Sequence, residues 1–167
     1  KKHCVLEKDK IIIDKYPLNI LKIPLINRIF PNSKFILAIR HPLDCVMSCW
    51  MQNFYLNAPM ANMVDLNRIV DLYIIIMDTF NYLEKRYSLN FLKVRYEDIV
   101  NNFEKEVSNI LEFLNLKWED NLTNYQKTAL LRGKINTPSY SQVVKPLYNS
   151  ASYRWKSYSN YLETFKL

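Results

Sequence analysis

The chain reads as an α/β domain, a parallel sheet flanked by helices, and three observations predict it. Short apolar runs at 11–13, 35–39 and 91–96 alternate with segments of helical period. The run at 35–39 passes directly into a helix opened by Pro42, a strand-to-helix junction typical of parallel sheets. Finally, 167 residues with 49% hydrophobic and 14% aromatic content suit one domain, 1–167, with a substantial core, and exclude disorder.

Residues 1–10 are charged and read as loop, without the pattern of a signal peptide. Ile11, Ile12 and Ile13 read as a short buried strand ending at Asp14, Lys15, Tyr16 and Pro17. From Leu18 to Phe30 the period is helical, with Leu21, Leu25 and Ile29 on one side, and Pro24 is expected to kink or divide the helix. The strand at 35–39 reads as buried. In the helix after Pro42 the apolar stripe is Leu43, Val46, Met47, Trp50 and Phe54, which leaves Asp44, Ser48 and Gln52 off the packing face. Asn57 to Asn62 read as a loop, and Asp65 caps a long helix reaching about Tyr87, roughly 34 Å in length. Its stripe runs from Leu66 through Ile69, Val70, Tyr73, Ile76, Met77 and Phe80 to Leu83. FLKVRY at 91–96 is a strand with Tyr96, Glu97 and Asp98 at its carboxyl end. Phe103, Val107, Ile110, Leu111 and Leu114 mark a further amphipathic helix. Beyond Asn115 the period fades. Residues 132–150 read as irregular, and 151–165 as closing in a short helix.

The longest apolar stretch, IVDLYIIIM, is too short for a membrane span and carries Asp71. Three cysteines without CxxC spacing imply no disulfide framework and make a reducing, cytoplasmic location the expectation. His41, Cys45 and Cys49 are four apart, but His41 precedes Pro42 and lies outside the helix, so no metal site is assigned. A net charge of +7 favours an anionic partner. A single glycine, Gly133, excludes a glycine-rich phosphate loop within this chain. The strand-to-helix junction remains as an anion site. Arg40 at the strand end offers bidentate bonds, and Ser48, just over one turn into the helix, offers a hydroxyl donor, together suited to a phosphate monoester. Taken alone, an arginine at a strand end is more often a solvated or ion-paired cap.

Four separated pieces, DKYPLN at 14, FPNSKFILAIRHPLDCVMS at 30, VRYEDIV at 94 and SQVVKPLYNSASYRW at 141, resemble sulfotransferases that use 3′-phosphoadenosine 5′-phosphosulfate. The QVVKP segment is most similar to the tyrosylprotein branch and its bacterial relatives. The resemblance implies a P-loop-type fold and sulfuryl transfer from this donor nucleotide to a hydroxyl acceptor, leaving adenosine 3′,5′-bisphosphate, with no metal. It also implies roles for residues. Arg40 and Ser48 would hold the 3′-phosphate, Tyr96 would contact the nucleotide, and Arg154 would meet the phosphate end. Ser139, Tyr140, Ser141, Gln142, Val143, Val144, Lys145 and Pro146 fall in the stretch that wraps the nucleotide. Lys15 would stand beside the transferring group, and Ser139 would stabilise the transition state. Such a reaction is carried by positioning and preorganised positive charge.

The departures matter as well. The family's first strand, its 5′-phosphosulfate loop and the glutamate that serves as base in the tyrosylprotein branch have no counterpart in this sequence, and Gln52 stands where some relatives carry an arginine. The chain is therefore expected to be N-terminally incomplete, with a preceding segment or a second chain filling the gap. A non-catalytic 3′-phosphonucleotide-binding or interaction module is the alternative function. A nucleic-acid-binding domain would rest on charge and aromatics alone, so no nucleic-acid partner is expected.

Overall fold

The computed structural model describes residues 11–52, 54, 57, 60–131, 145–162 and 164–165. Among them the chain is mostly helical around a two-stranded parallel sheet. Strand β1 (Phe35–Ile39) pairs with β2 (Phe91–Arg95), in register from Phe35 with Phe91 to Ile39 with Arg95. The α/β expectation holds, with both strands where the periodicity put them.

Helices α1 (Ile23–Ile29), α2 (Pro42–Trp50), α3 (Leu66–Arg86), α4 (Tyr96–Asn101), α5 (Phe103–Leu114), α6 (Tyr125–Leu131) and α7 (Ser159–Leu162) follow the chain. Tight 3₁₀ turns occupy Pro17–Lys22, Met60–Val64, Asp120–Asn124 and Arg154–Tyr158. Asp65 caps α3 as expected, its Oδ1 accepting the Arg68 N–H at 3.0 Å. Pro42 stands in the first turn of α2, where its missing N–H costs nothing.

One packing layer covers one face of the sheet, and a second cluster forms between the helices. Phe80 and Leu83 of α3 meet Ile20 and Ile23, with Phe35, Leu37 and Phe91 against them. Phe80 and Phe91 pack edge to face at 5.5 Å. Nearer the start of α3, Val46 of α2 packs on Ile69 and Val70, while Leu43 and Met47 of α2 are closed over by Leu162 of α7. The closing C-terminal helix is thus present, entered through the 3₁₀ turn at Arg154–Tyr158.

Several expectations are corrected. Ile11, Ile12 and Ile13 form no strand; they are 58%, 68% and 79% exposed. A strand requires a partner for its ladder, and none of the described residues pairs with this run. Strand β1 is not buried on both faces: burial alternates along it, with Ile36 and Ala38 exposed. The 18–30 segment is divided at Ile23 and Pro24, as the proline demands, but its packing face differs. Leu21, Leu25 and Ile29 are exposed, and Ile20 and Ile23 are buried. The first half is 3₁₀, in which residues three apart eclipse, so Ile20 and Ile23 share a face that an α-helical count separates from the inward direction. Trp50, placed on the apolar stripe of α2, is also exposed. Residues 120–131 are helical although their period is weak, because neither of these short elements buries a residue fully.

Candidate functional site

The carboxyl ends of both strands deliver the site. Arg40 follows β1, Tyr96 opens α4 directly after β2, and the irregular stretch 145–153 crosses both before turning into the Arg154–Tyr158 helix. Three polar links tie this crossing stretch to the strand ends. Tyr96 Oη donates to the Tyr148 carbonyl at 3.4 Å, Arg40 Nη2 donates to the Ala151 carbonyl, and Asp44 accepts from two backbone amides. The Asp44 bonds are short, 2.7 Å from Tyr153 N and 2.9 Å from Trp155 N. Tyr125 of α6 holds the start of the stretch, its hydroxyl donating to the Lys145 carbonyl at 2.9 Å.

Between the stretch and α2 lies a cavity of about 600 Å³ lined by Arg40, Ser48, Lys145, Tyr148 and Arg154, with Asp44 and Met47 of α2 and Gln52 just beyond that helix also in its wall. That volume is in the range of small-molecule sites. Three cations face one acid among the described lining residues, and that acid, Asp44, is 1% exposed with both oxygens engaged. The guanidinium of Arg40 lies 5.1 Å over the Tyr96 ring and 3.8 Å from Asp44 Oδ2. Its Nε is a buried donor without a partner among the described residues. Three positive groups, a hydroxyl and an unspent guanidinium donor form a donor set suited to a phosphate-bearing ligand.

A second layer supports Arg40. Glu97, 2% exposed, accepts the backbone N–H of His41 at 2.8 Å and stands 4.0 Å from Arg95 Nε, so it locks the turn between β1 and α2. The His41 ring stacks on Trp155 at 5.0 Å and meets the edge of Tyr153 at 5.7 Å. Burial, with Tyr148 beside it, raises the Tyr96 phenol above its ordinary value, so it remains a neutral donor. Burial also pushes the Cys45 thiol up to about 11, reinforced by Cys49 next to it, and raises Cys49. Cys45 Sγ points at the Arg40 carbonyl at 4.0 Å.

Of the residues singled out in the sequence, Arg40, Ser48, Lys145 and Arg154 are brought to this cavity. Tyr96 lies beneath Arg40 and bonds to the crossing stretch. Pro146 is exposed beside Lys145 and is not among the lining residues. Lys15 lines a different, mainly apolar groove of about 870 Å³ on the flank of β1, with Ile20, Phe35, Ile36 and Ala38. Ser139, Tyr140, Ser141, Gln142, Val143 and Val144 lie outside the described residues. The reading of the sequence missed Asp44 and Glu97. By helical count Asp44 falls on the solvent side of α2, and an acid in a helix's first turn is ordinarily explained by the helix dipole alone. Glu97 carried no signal beyond its place after the strand.

A cavity at the carboxyl ends of parallel strands lies where α/β domains as a class place their ligands. More particularly, a family model described as "Sulfotransferase family" matches residues 3–120, and the chain belongs to that family. It is also 31% identical over 152 residues to a protein of Aquifex aeolicus (strain VF5) described only as "Uncharacterized protein". The aligned region covers 90% of this chain and 20% of that relative, so the chain spans about a fifth of the relative's length.

Proposed function

We propose that this chain carries the 3′-phosphate half of a sulfotransferase site, for a protein that moves a sulfuryl group from 3′-phosphoadenosine 5′-phosphosulfate to a hydroxyl acceptor. The observation that carries this reading is the meeting of Arg40, Ser48, Lys145 and Arg154 around one cavity in a chain of the sulfotransferase family. The donor supplies an activated sulfuryl group and departs as adenosine 3′,5′-bisphosphate. The chain's own residues bind and orient it. Arg40 presents its guanidinium charge to the 3′-phosphate, Ser48 adds a hydroxyl donor, and Lys145 and Arg154 close the anionic end from the opposite wall. Tyr96 holds Arg40 from below and stays protonated. Lys15 and Ser139 are assigned to the transferring group through the family resemblance, which lies nearest the tyrosylprotein branch.

Calorimetric titration with adenosine 3′,5′-bisphosphate against adenosine 5′-monophosphate tests the reading. Selective binding of the bisphosphate, lost in Arg40→Ala, is the expected result. Equal binding of the two nucleotides by the folded chain overturns it. One observation favours a second reading, a non-catalytic 3′-phosphonucleotide-binding module: Lys15 lines a groove separate from the cavity of Arg40. Sulfuryl transfer to any hydroxyl acceptor by the natural full-length protein, lost in Lys15→Ala, excludes that alternative.

A further inference from the structure

The feature of the cavity left without a role in binding is Asp44, its one acid among the described lining residues. A carboxylate beside three cations lowers the positive potential available to an anion, so simple Coulomb attraction gives it no place in the lining. Asp44 is nonetheless almost wholly buried, and its oxygens are not spent on the cavity. Oδ2 accepts from Tyr153 N at 2.7 Å and Oδ1 from Trp155 N at 2.9 Å, while Oδ2 also stands 3.8 Å from Arg40 Nη2. Those two amides begin the Arg154–Tyr158 helix, whose N-cap, Tyr153, is held at φ 56°, a left-handed conformation unusual for a residue with a side chain. Between the two amides sits Arg154, one of the cavity's cations. Arg40, on the other side of the carboxylate, bonds the Ala151 carbonyl two residues upstream of Tyr153.

We infer that Asp44 is a positioning residue, a latch that docks the 145–158 stretch onto α2 and thereby sets both Arg154 and Arg40 for the anion without touching it. The inference rests on the 3′-phosphate reading above for the ligand, but the latch itself is a property of this chain's backbone. Asparagine at position 44 keeps the shape and removes the negative charge, yet turns an N–H₂ group toward backbone N–H donors. The two accounts of Asp44 therefore predict opposite signs. If it merely dilutes the positive field, Asp44→Asn binds anions more tightly; if it is the latch, Asp44→Asn binds them more weakly.

The experiment pairs two readouts on the wild-type chain and Asp44→Asn. Titration with adenosine 3′,5′-bisphosphate is expected to show affinity at least about tenfold weaker in the variant. Limited trypsin digestion without nucleotide is expected to cut at Arg154 and Lys156 several-fold faster in the variant, with cleavage elsewhere unchanged. Unchanged or tighter binding by Asp44→Asn, or equal cleavage of the stretch in both proteins, overturns the latch. A wild-type chain that does not discriminate the bisphosphate from the monophosphate sinks the 3′-phosphate reading instead, and the digestion arm then decides the latch by itself. Should Asp44→Asn not fold, hydrogen exchange on the wild type decides. The Tyr153 and Trp155 amides are expected to exchange far more slowly than exposed chain, whereas exchange at the rate of unstructured peptide overturns the inference.

Discussion

The two flanks of β1 are built from the same strand and differ in almost everything else. Toward its carboxyl end lies a polar cavity whose walls are tied by side-chain-to-backbone bonds, with Arg40, Asp44 and Tyr96 each holding the 145–158 stretch. Along its side lies an apolar groove whose lining includes the exposed Ile12, Ile29 and Ile36. The first region is organised by directional contacts between distant residues, the second by aliphatic surface that the described residues leave uncovered. The polar groups converge at the strand end, and Lys15, the one proposed reactive residue on the groove side, stands apart from them.

Substitutions can break or sharpen that contrast. The largest effect is expected on the groove side, at its anchor. Phe80 is buried against Ile20, Ile23 and Leu83, and Phe80→Ala should cost about 3–5 kcal/mol of unfolding free energy. Leu25→Ala, on the exposed face, should change it by about 0.5 kcal/mol or less in the same denaturant titration. A Leu25 cost close to that of Phe80 would mean that the face is covered in solution. Next comes Arg40→Ala, which should weaken adenosine 3′,5′-bisphosphate by roughly a hundredfold, since a charge-assisted bidentate contact is worth about 2–3 kcal/mol. Lys15→Ala, measured beside it, should hold bisphosphate affinity within about threefold while abolishing turnover of the full-length protein. Equal losses of affinity in the two variants would unite the two regions into one binding site.

An intermediate effect is a matter of pH. The Cys45 thiol has its pKa raised from 9.0 to about 11 by burial in the helix that walls the cavity. A group whose acid is favoured by folding contributes stability that is fully present below pH 9.0 and lost as pH rises through about 11. Burial acts in the same direction on Tyr73 nearby, pushed up to about 12. Thermal melts should therefore fall above pH 9, and alkylation of Cys45, followed by peptide mapping, should have its midpoint near 11. Rapid alkylation at pH 8 would show that α2 opens readily. The smallest effect expected is at Ser48, where removal of one hydroxyl donor in Ser48→Ala should weaken the bisphosphate by roughly threefold to tenfold, about 0.6–1.4 kcal/mol.

The elements that could be read from the sequence are those in which one face is apolar and the other is not. Helix α3, with its Asp65 cap, and α5, with its stripe, fall close to where their spacing puts them, and both strands do so too. Three failures have separate physical causes. Ile11 to Ile13 satisfy a strand's composition, but pairing is a property of the neighbour as well as of the run. Leu21, Leu25 and Ile29 satisfy a helix's period, but the 3₁₀ turn before Ile23 rotates the face that packs. Asp44 lies at the angle of a solvated residue, and only a stretch more than a hundred positions later turns that direction into the interior. The Arg40 and Ser48 pair was legible because a strand end and the next helix are adjacent in sequence, whereas the acid between them depends on a partner that no local pattern announces.

The separation of those partners also sets the order in which the molecule can be made. Asp44 meets Tyr153 and Trp155 across 109 and 111 positions, and Leu43 and Met47 wait for Leu162 to cover them. A ribosome adding about 5–20 residues per second delivers that cover roughly 5 to 20 s after α2 has been synthesised. During this interval the nascent chain holds an apolar helix face without its lid and a carboxylate without its amides. The cavity is thus completed after the helices and the sheet, and the same long loop closure that makes it late also makes the α2 surface the place where a slowed or truncated chain would self-associate.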